Sequence, residues 1–467
     1  MQYSDNLERI NKAKESLRQV PYNLEAWSVL IKHVQSQPKT NIKQARQIYE
    51  SLLKHFPTSG RYWKIYIDHE IKAGSFDQVE RLFQRCLNNV LNVDLWKSYL
   101  SYIREQKHGS RSNQTNMQIR EQIVQAYEFA LSKVGLDIHS YSIWNDYISY
   151  LKSAPAPKQG TQQQVQQGGD FVDGSKIVVI RKVYQRAIIT PMLQLEAIWR
   201  DYSNWEQSIN ATIATKMLDT RQKEYLIAKK VARELDQMTR GLNRNAPALP
   251  PSGGSSGDEK RQVDMWRRII EWEKCNNCRS TDPAMVIQRV VFAYEQCLQC
   301  MAHHPSIWFE AADYLIKSAE GYRDKNPAYG KLLEDQVCKL FERAIADESP
   351  VRASILVHFQ YAEYKEKLRD YEAVNKIYQR LYQKNIGGGM VISDDSMKEV
   401  KSEKEQHDPI SGLASVKVLD PTLGYIQHMK FARRVEGIKS ARIIFKRARS
   451  DNRVSYHAYV FAALMVS

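Results

Sequence analysis

The sequence predicts an all-α fold, an α-solenoid of stacked helix pairs, and three observations carry that reading. Only 15 prolines and 20 glycines interrupt 467 residues, so helices can run long. A five-residue pattern recurs along the chain: an aromatic residue, often Arg at +2, usually a small residue at +3 and usually an aliphatic one at +4. A second pattern, headed by Trp, precedes most copies of the first. The chain is also too long for one compact core unless its architecture is extended, while 43% hydrophobic and 26% charged residues are ordinary for a folded protein.

The Trp-headed pattern supplies the first helix of each pair, helix A. It opens loosely with "WSVLIKHV" at Trp27. It returns as "WKIYIDHE" at Trp63, "WKSYLSYI" at Trp96, "WNDYISYL" at Trp144, "WRDYSNWE" at Trp199, "WRRIIEWE" at Trp266 and "WFEAADYL" at Trp308. An aromatic or aliphatic residue at +3, and often another at +6, shares one helix face with the Trp. "LVHFQYAE" at 356–363 and "YIQHMKFA" at 425–432 lack the Trp but keep most of the apolar spacing. Three copies place Glu at +7: Glu70, Glu206 and Glu273. A carboxylate on a mostly apolar face needs a partner, and a neighbouring Arg or Tyr hydroxyl would serve.

Helix B carries the aromatic pattern, headed by Tyr49, Phe83, Tyr127, Tyr184, Tyr294, Phe341, Tyr378 and Phe445. The small residue at +3 lets a neighbouring helix approach closely. "VAREL" at 231–235 is a weaker copy with Val in the aromatic slot. A pair with a single apolar face cannot bury it alone, whereas stacking builds a continuous core. Each Trp then contributes roughly 2–3 kcal/mol through buried area, and Trp199→Ala is expected to cost about 3–5 kcal/mol.

Three stretches break the array. Residues 153–176 are Gln- and Gly-rich and fall inside repeat four. Residues 241–262 separate repeats five and six, and 386–420 separate repeats eight and nine. All three have the composition of flexible, solvated loops. The main boundary is placed at the second, giving an N-terminal domain over 1–245, a linker over 246–262 and a C-terminal domain over 263–467. "YHAYVFAALMVS" reads as the A helix of a tenth repeat, expected to expose Leu464, Met465 and Val466.

Candidate chemistry is sparse. The polar opening "MQYSDNLERINKAKE" is no signal peptide, and no apolar run approaches the roughly 18 residues of a membrane span, so a soluble intracellular chain without a membrane partner is expected. There is no G-x-x-x-x-G-K-[ST] or H-E-x-x-H motif, and no enzymatic activity or cofactor is expected. The spacing C-x₂-C-x₁₈-C-x₂-C over Cys275, Cys278, Cys297 and Cys300 normally reads as zinc. With Pro283 in the first turn of helix B, however, Cys297 lies about 20 Å along that helix. Cys275 and Cys278 stay at its near end, so the thiols are read as packing groups rather than ligands. His303-His304-Pro305 is likewise read as a structural turn. One charged stretch stands out within a net charge of +15: residues 430–453 hold nine Lys/Arg against two Asp/Glu. Arg433, Arg434, Lys439, Arg442 and Lys446 are candidate contacts for RNA or an acidic partner; a solvated face with internal pairing is the alternative.

Trp at the head of helix A, an aromatic residue three later, Glu at +7 and "[YF]-x-R-[AC]-[LI]" in helix B resemble HAT (half-a-TPR) repeats, which are TPR-like. Longer strings, among them "ARQIYESLLKHFPTSGRYWKIYIDHE", "QVDMWRRIIEWEK" and "FARRVEGIKSARIIFKRAR", are similar to the suppressor-of-forked family, the large HAT subunit of cleavage stimulation factor. The resemblance implies a right-handed, elongated, superhelical solenoid and a nuclear scaffold in pre-mRNA 3′-end cleavage and polyadenylation. It also implies partners: the RNA-recognition and WD40 subunits of cleavage stimulation factor, the cleavage and polyadenylation specificity factor, and a second copy bound through the C-terminal half. The family pattern continues past "AALM" with further repeats and a proline-rich segment that holds the other subunits. This sequence stops at Ser467, which leaves dimerisation and those two subunits open expectations for the stretch in hand.

Overall fold

The computed structural model describes residues 2–36, 42–109, 116–153, 174–251, 257–382 and 421–466. Among them are twenty α-helices and no strand. An opening helix, α1 (Gln2–Gln19), precedes the repeats. The A and B helices of repeats one to five follow as α2 (Leu24–Ser36) with α3 (Ile42–His55), α4 (Gly60–Ala73) with α5 (Phe76–Cys86), α6 (Val93–Gly109) with α7 (Asn116–Val134), α8 (Tyr141–Ser153) with α9 (Gly174–Ile188), and α10 (Leu195–Ile209) with α11 (Ala211–Thr239). Repeats six to nine are α12 (Gly257–Lys274) with α13 (Pro283–Cys300), α14 (Pro305–Tyr322) with α15 (Pro327–Ile345), α16 (Ile355–Lys367) with α17 (Tyr371–Tyr382), and α18 (Thr422–Val435) with α19 (Ile438–Ser450). The last helix, α20 (His457–Val466), is the A helix of a tenth. Most of the Gln-rich insertion and all of 386–420 lie outside the described residues.

Local chemistry explains the helix ends. Pro283, Pro305 and Pro327 each open a helix, where a missing backbone N–H costs nothing. The Asp282 and Asn326 side chains accept from the free N–H groups of Ala284 and Tyr329. Gly74 closes α4 at φ 75°, a left-handed conformation that glycine adopts without strain.

Trp27, Trp63, Trp96, Trp144, Trp266 and Trp308 are all buried. Most of the indoles share one further contact. Nε1–H of Trp27, Trp63, Trp96 and Trp308 donates to a backbone oxygen six residues upstream, those of Pro21, Pro57, Val90 and Ala302, at 2.7–3.0 Å. Trp144 reaches Gly135 O at 3.1 Å. Each of these five indoles ties its A helix to the turn before it while satisfying its own buried donor; Nε1 of the equally buried Trp266 has no hydrogen-bond partner among the described residues. Trp199 departs from the rule. It is only partly buried and lies flat on Tyr225 of α11 at 4.3 Å between centroids, so less area is lost on truncation than the sequence reading assigned to it.

Tyr49, Phe83, Tyr127, Tyr184, Tyr294, Phe341 and Tyr378 are buried as well. Each of six of these rings meets the +3 ring of the next A helix: Tyr49 with Tyr66 at 4.7 Å, Phe83 with Tyr99 at 5.2 Å, Tyr127 with Tyr147 at 4.9 Å, Tyr184 with Tyr202 at 5.1 Å, Phe341 with Tyr361 at 4.7 Å and Tyr378 with His428 at 5.1 Å. The aromatic slot is therefore the joint between successive repeats. Phe445 is the exception in its row, half-buried and edge-on to Tyr459 at 5.6 Å.

Two readings of the sequence are corrected, and one helix is added that it did not mark. The polar N-terminus forms α1, which buries Ile10, Ala13 and Leu17 on one face against the first repeat. Residues 241–251, read as a solvated joint, are instead held down. The Gln262 side chain accepts from Asn243 N–H and donates to Gly241 O, the Arg244 guanidinium pairs with Asp137 at 2.8 Å, and Ala248 is buried. At the far end Leu464 is exposed as expected, but Met465 is buried; the Val466 side chain lies outside the described residues.

The two halves also touch far from their covalent joint. The C-terminal end of α13 and the turn after it lie along the inter-helix turns of the first four repeats. Gln299 donates to Asn89 O at 2.9 Å and accepts from Leu91 N–H, Thr58 Oγ1 donates to Gln299 O at 2.8 Å, and His303 meets Tyr22 edge-on at 5.3 Å. Gln296 joins Arg244 on the carboxylate of Asp137.

Candidate functional site

Charged residues of the array fall into two groups, those consumed by packing and those left at the surface. The +7 carboxylates belong to the first. Glu70 is fully buried and accepts two bonds from Arg46 at 2.7 and 2.8 Å; Glu206 does the same with Arg181 at 2.6 and 2.8 Å. Both arginines come from the preceding B helix. Glu273 uses the B helix of its own repeat, pairing with Arg289 at 2.6 and 2.9 Å, with both residues buried. A planar guanidinium meets a carboxylate through two parallel bonds, which the single donor of a Tyr hydroxyl cannot match.

The +2 arginines of helix B form a second row that sequence reasoning left without a partner. Arg85 pairs with Glu50, Arg186 with Glu128 and Arg343 with Glu295, all within 2.8–2.9 Å. Each acid is the residue directly after the aromatic head of the previous B helix. The same three guanidinium groups lie over Trp63, Trp144 and Trp308 at 5.2–5.4 Å. The signal was present in "YESLL", "YEFAL" and "YEQCL". It reads as ordinary solvated Glu until the stacking register places it beside the next Arg.

The thiols lie as the helix geometry requires. Cys275 is exposed at the end of α12, Cys278 is in the turn, and Cys297 and Cys300 are buried in α13. Burial pushes the Cys297 thiol well up and that of Cys300 to about 12. Cys300 Sγ donates to Arg244 O at 3.0 Å. His304 precedes α14 with Nε2 3.2 Å from Glu259, while burial drops the neighbouring His303 to about 4.

The basic stretch divides. Arg434 is used by Glu366 in bonds of 2.7–2.9 Å, and Arg453 by Asp451 and Tyr382 O. Lys430 lies over the Phe461 ring at 5.5 Å. Arg447, in the +2 slot, faces the buried Tyr382 hydroxyl. The preceding B helix offers Gln379 where α3, α7 and α13 offer Glu, so Arg447 has no acid to meet there. Arg433, Lys439, Arg442, Lys446 and Arg449 are exposed, and none makes a salt bridge or side-chain hydrogen bond among the described residues.

This pattern of stacked pairs matches known proteins. The family model described as "Suppressor of forked protein (Suf)" matches residues 8–467. The chain belongs to the suppressor of forked family. It is 38% identical to Protein suppressor of forked of Drosophila melanogaster, over 98% of this chain and 57% of that protein. It is 31% identical to Cleavage stimulation factor subunit 77 of Arabidopsis thaliana, over 91% of this chain and 48% of that one. The mRNA 3′-end-processing protein rna14 of Schizosaccharomyces pombe is 28% identical over 98% of this chain and 58% of its own length. The chain thus spans about half the length of these relatives. A crystal structure of CstF-77 superposes with a TM-score of 0.50 at 18% identity, covering 87% of this chain and 69% of that one, a likeness of fold. No helix among the described residues is long and apolar enough to cross a membrane.

Proposed function

We propose that the chain is a non-catalytic scaffold of pre-mRNA 3′-end cleavage and polyadenylation, acting in the nucleus without a cofactor. The supporting observation is the recurrence of stacked rings and paired charges at the joints between repeats, which commits most of the conspicuous side chains to holding helices in register. Two bodies, 1–245 and 263–467 with the segment between them, would then present partner surfaces at a spacing set by packing. The contact of α13 with the turns of the first four repeats fits such a rigid frame, because a scaffold that flexed at its joint would lose its spacing. The name Cleavage stimulation factor subunit 77, borne by one relative, favours other subunits of such a factor as partners; the family resemblance adds its RNA-recognition and WD40 subunits, the cleavage and polyadenylation specificity factor and a second copy of the chain.

The test is size-exclusion chromatography with light scattering on the purified chain, alone and mixed with those proteins. A single peak whose mass requires two different partners on one chain supports the scaffold. Failure to co-elute with any of them removes it. The mass of the chain alone reads its copy number.

A further inference from the structure

Helix α19 separates its residues by chemistry. At 100° per residue, Lys439, Arg442, Lys446 and Arg449 fall within an arc of about 80° and climb about 15 Å along the axis. The buried Ala441, Ile444 and Ala448 occupy the opposite side. No acidic residue lies within α19. The flanking acids are engaged elsewhere: Glu436 accepts from Asn375 at 2.7 Å, and Asp451 is buried with Arg453. Arg433, at the end of α18, adds a fifth exposed cation without a partner among the described residues.

The rest of the molecule shows that this is a departure. The B-helix arginines Arg85, Arg186 and Arg343 each meet a carboxylate one repeat away, and Arg46, Arg181 and Arg289 each meet a buried one. A row of like charges one helical turn apart repels itself and lowers helix stability. Packing gains nothing from leaving it unneutralised.

We propose that the outer face of α19 binds the phosphate backbone of single-stranded RNA. Two features favour a polyanion over a folded acidic protein. A protein interface needs an apolar centre, whereas the arc itself carries none: Ile443, the only exposed large apolar side chain of α19, lies outside it beyond Lys439. Single-strand sites pair a cationic track with an aromatic face for bases, and the half-exposed Tyr459 stands beside Phe445, which flanks the arc on the side of Arg442 and Arg449. The contact does not depend on the scaffold reading, whose failure would leave it standing and the reverse.

Fluorescence anisotropy of a labelled 12-nucleotide oligouridylate, titrated with the purified chain between about 25 and 200 mM salt, tests it. Four phosphate contacts give a log–log salt slope near −3, at about −0.7 per contact on single strands. Arg442→Glu combined with Lys446→Glu should cut affinity at least tenfold at low salt and flatten the slope to about half. Both positions are exposed, and an unchanged circular dichroism spectrum and melting temperature would show that folding is intact. Absence of binding at low salt, or equal affinity and slope in the double variant, overturns the proposal. So does a polyglutamate peptide that competes at equal charge concentration with the same loss in the variant, since that assigns the face to an acidic protein.

Discussion

Repeats two to seven and repeats eight and nine stack in the same way but are built from different chemistry. In the first set the A helix is headed by Trp; in the second the same slot holds His358 and Tyr425, both buried. His358 Nδ1 lies 2.9 Å from Ser354 O, standing in for an indole N–H on the preceding turn. In the second set the ring ladder continues through the His428 imidazole on Tyr378, held by the Tyr382 hydroxyl at 3.0 Å and Asn375 Oδ1 at 2.7 Å. The ion-pair ladder thins: in repeat eight Arg380 meets Asp347, just beyond α15, at 2.9 Å, and in repeat nine it stops, because α17 lacks the Glu that α3, α7 and α13 carry and α19 keeps its cations on the surface. Stacking therefore demands flat rings at the joint and tolerates either source of them. Charge pairing is an addition that can lapse, and where it lapses positive charge becomes available for a ligand.

The largest effect should come from the buried groups of the first set. Trp96→Ala is expected to cost about 3–5 kcal/mol, against about 1–2 kcal/mol for Trp199→Ala, whose ring is already part-solvated. Urea melts followed by hydrogen exchange within each repeat check this, and equal costs would erase the distinction drawn for Trp199. Glu273→Ala strands the Arg289 guanidinium in the core and should cost about 3–5 kcal/mol. Removing the acid of the solvated Arg434–Glu366 pair should cost less than about 1 kcal/mol, and thermal melts of the two variants read the contrast.

A pH titration probes the second set. Burial holds His428 at about 4, with Arg447 lowering it further and Glu436 opposing; burial likewise holds His303 at about 4, beside His304 and Tyr22. Both folded values lie below the unfolded value of about 6.5. Their contribution is therefore complete above that pH and falls as pH drops from about 6.5 towards 4, by roughly 1.4 kcal/mol per unit for each group. His428→Gln should flatten the stability profile of the C-terminal repeats across that window, and an unchanged profile would mean that another group sets it. The smallest effect belongs to the exposed ladder: Glu128→Gln should cost about 0.5 kcal/mol or less. A larger loss in a double-mutant cycle with Arg186 would show that Trp144 beneath the guanidinium strengthens the pair.

Much of this was legible residue by residue. The Trp and aromatic heads mark nearly every helix pair, because a ring at a repeat joint cannot be replaced by a polar residue without losing the joint. The +7 glutamates announced a need for partners but not which ones, since Arg46 and Arg181 reach across a repeat boundary and Arg289 does not. Helix α1 was hidden by its thin apolar stripe of three positions in a polar segment. The 241–251 segment looked solvated because its anchors, Asp137, Cys300 and Gln262, lie far off in sequence or belong to side chains that serve equally well at a surface.

The sequence by itself determined the number of helix pairs, the identity of the rings between them and the segregation of charge on α19, because all three follow from spacing along one helix. Only the tertiary structure decided which Glu meets which Arg, how α13 crosses the turns of the first four repeats, and which cations remain unneutralised. Those outcomes depend on the register and curvature of the stack, and curvature accumulates from small rotations at every joint rather than from any local motif.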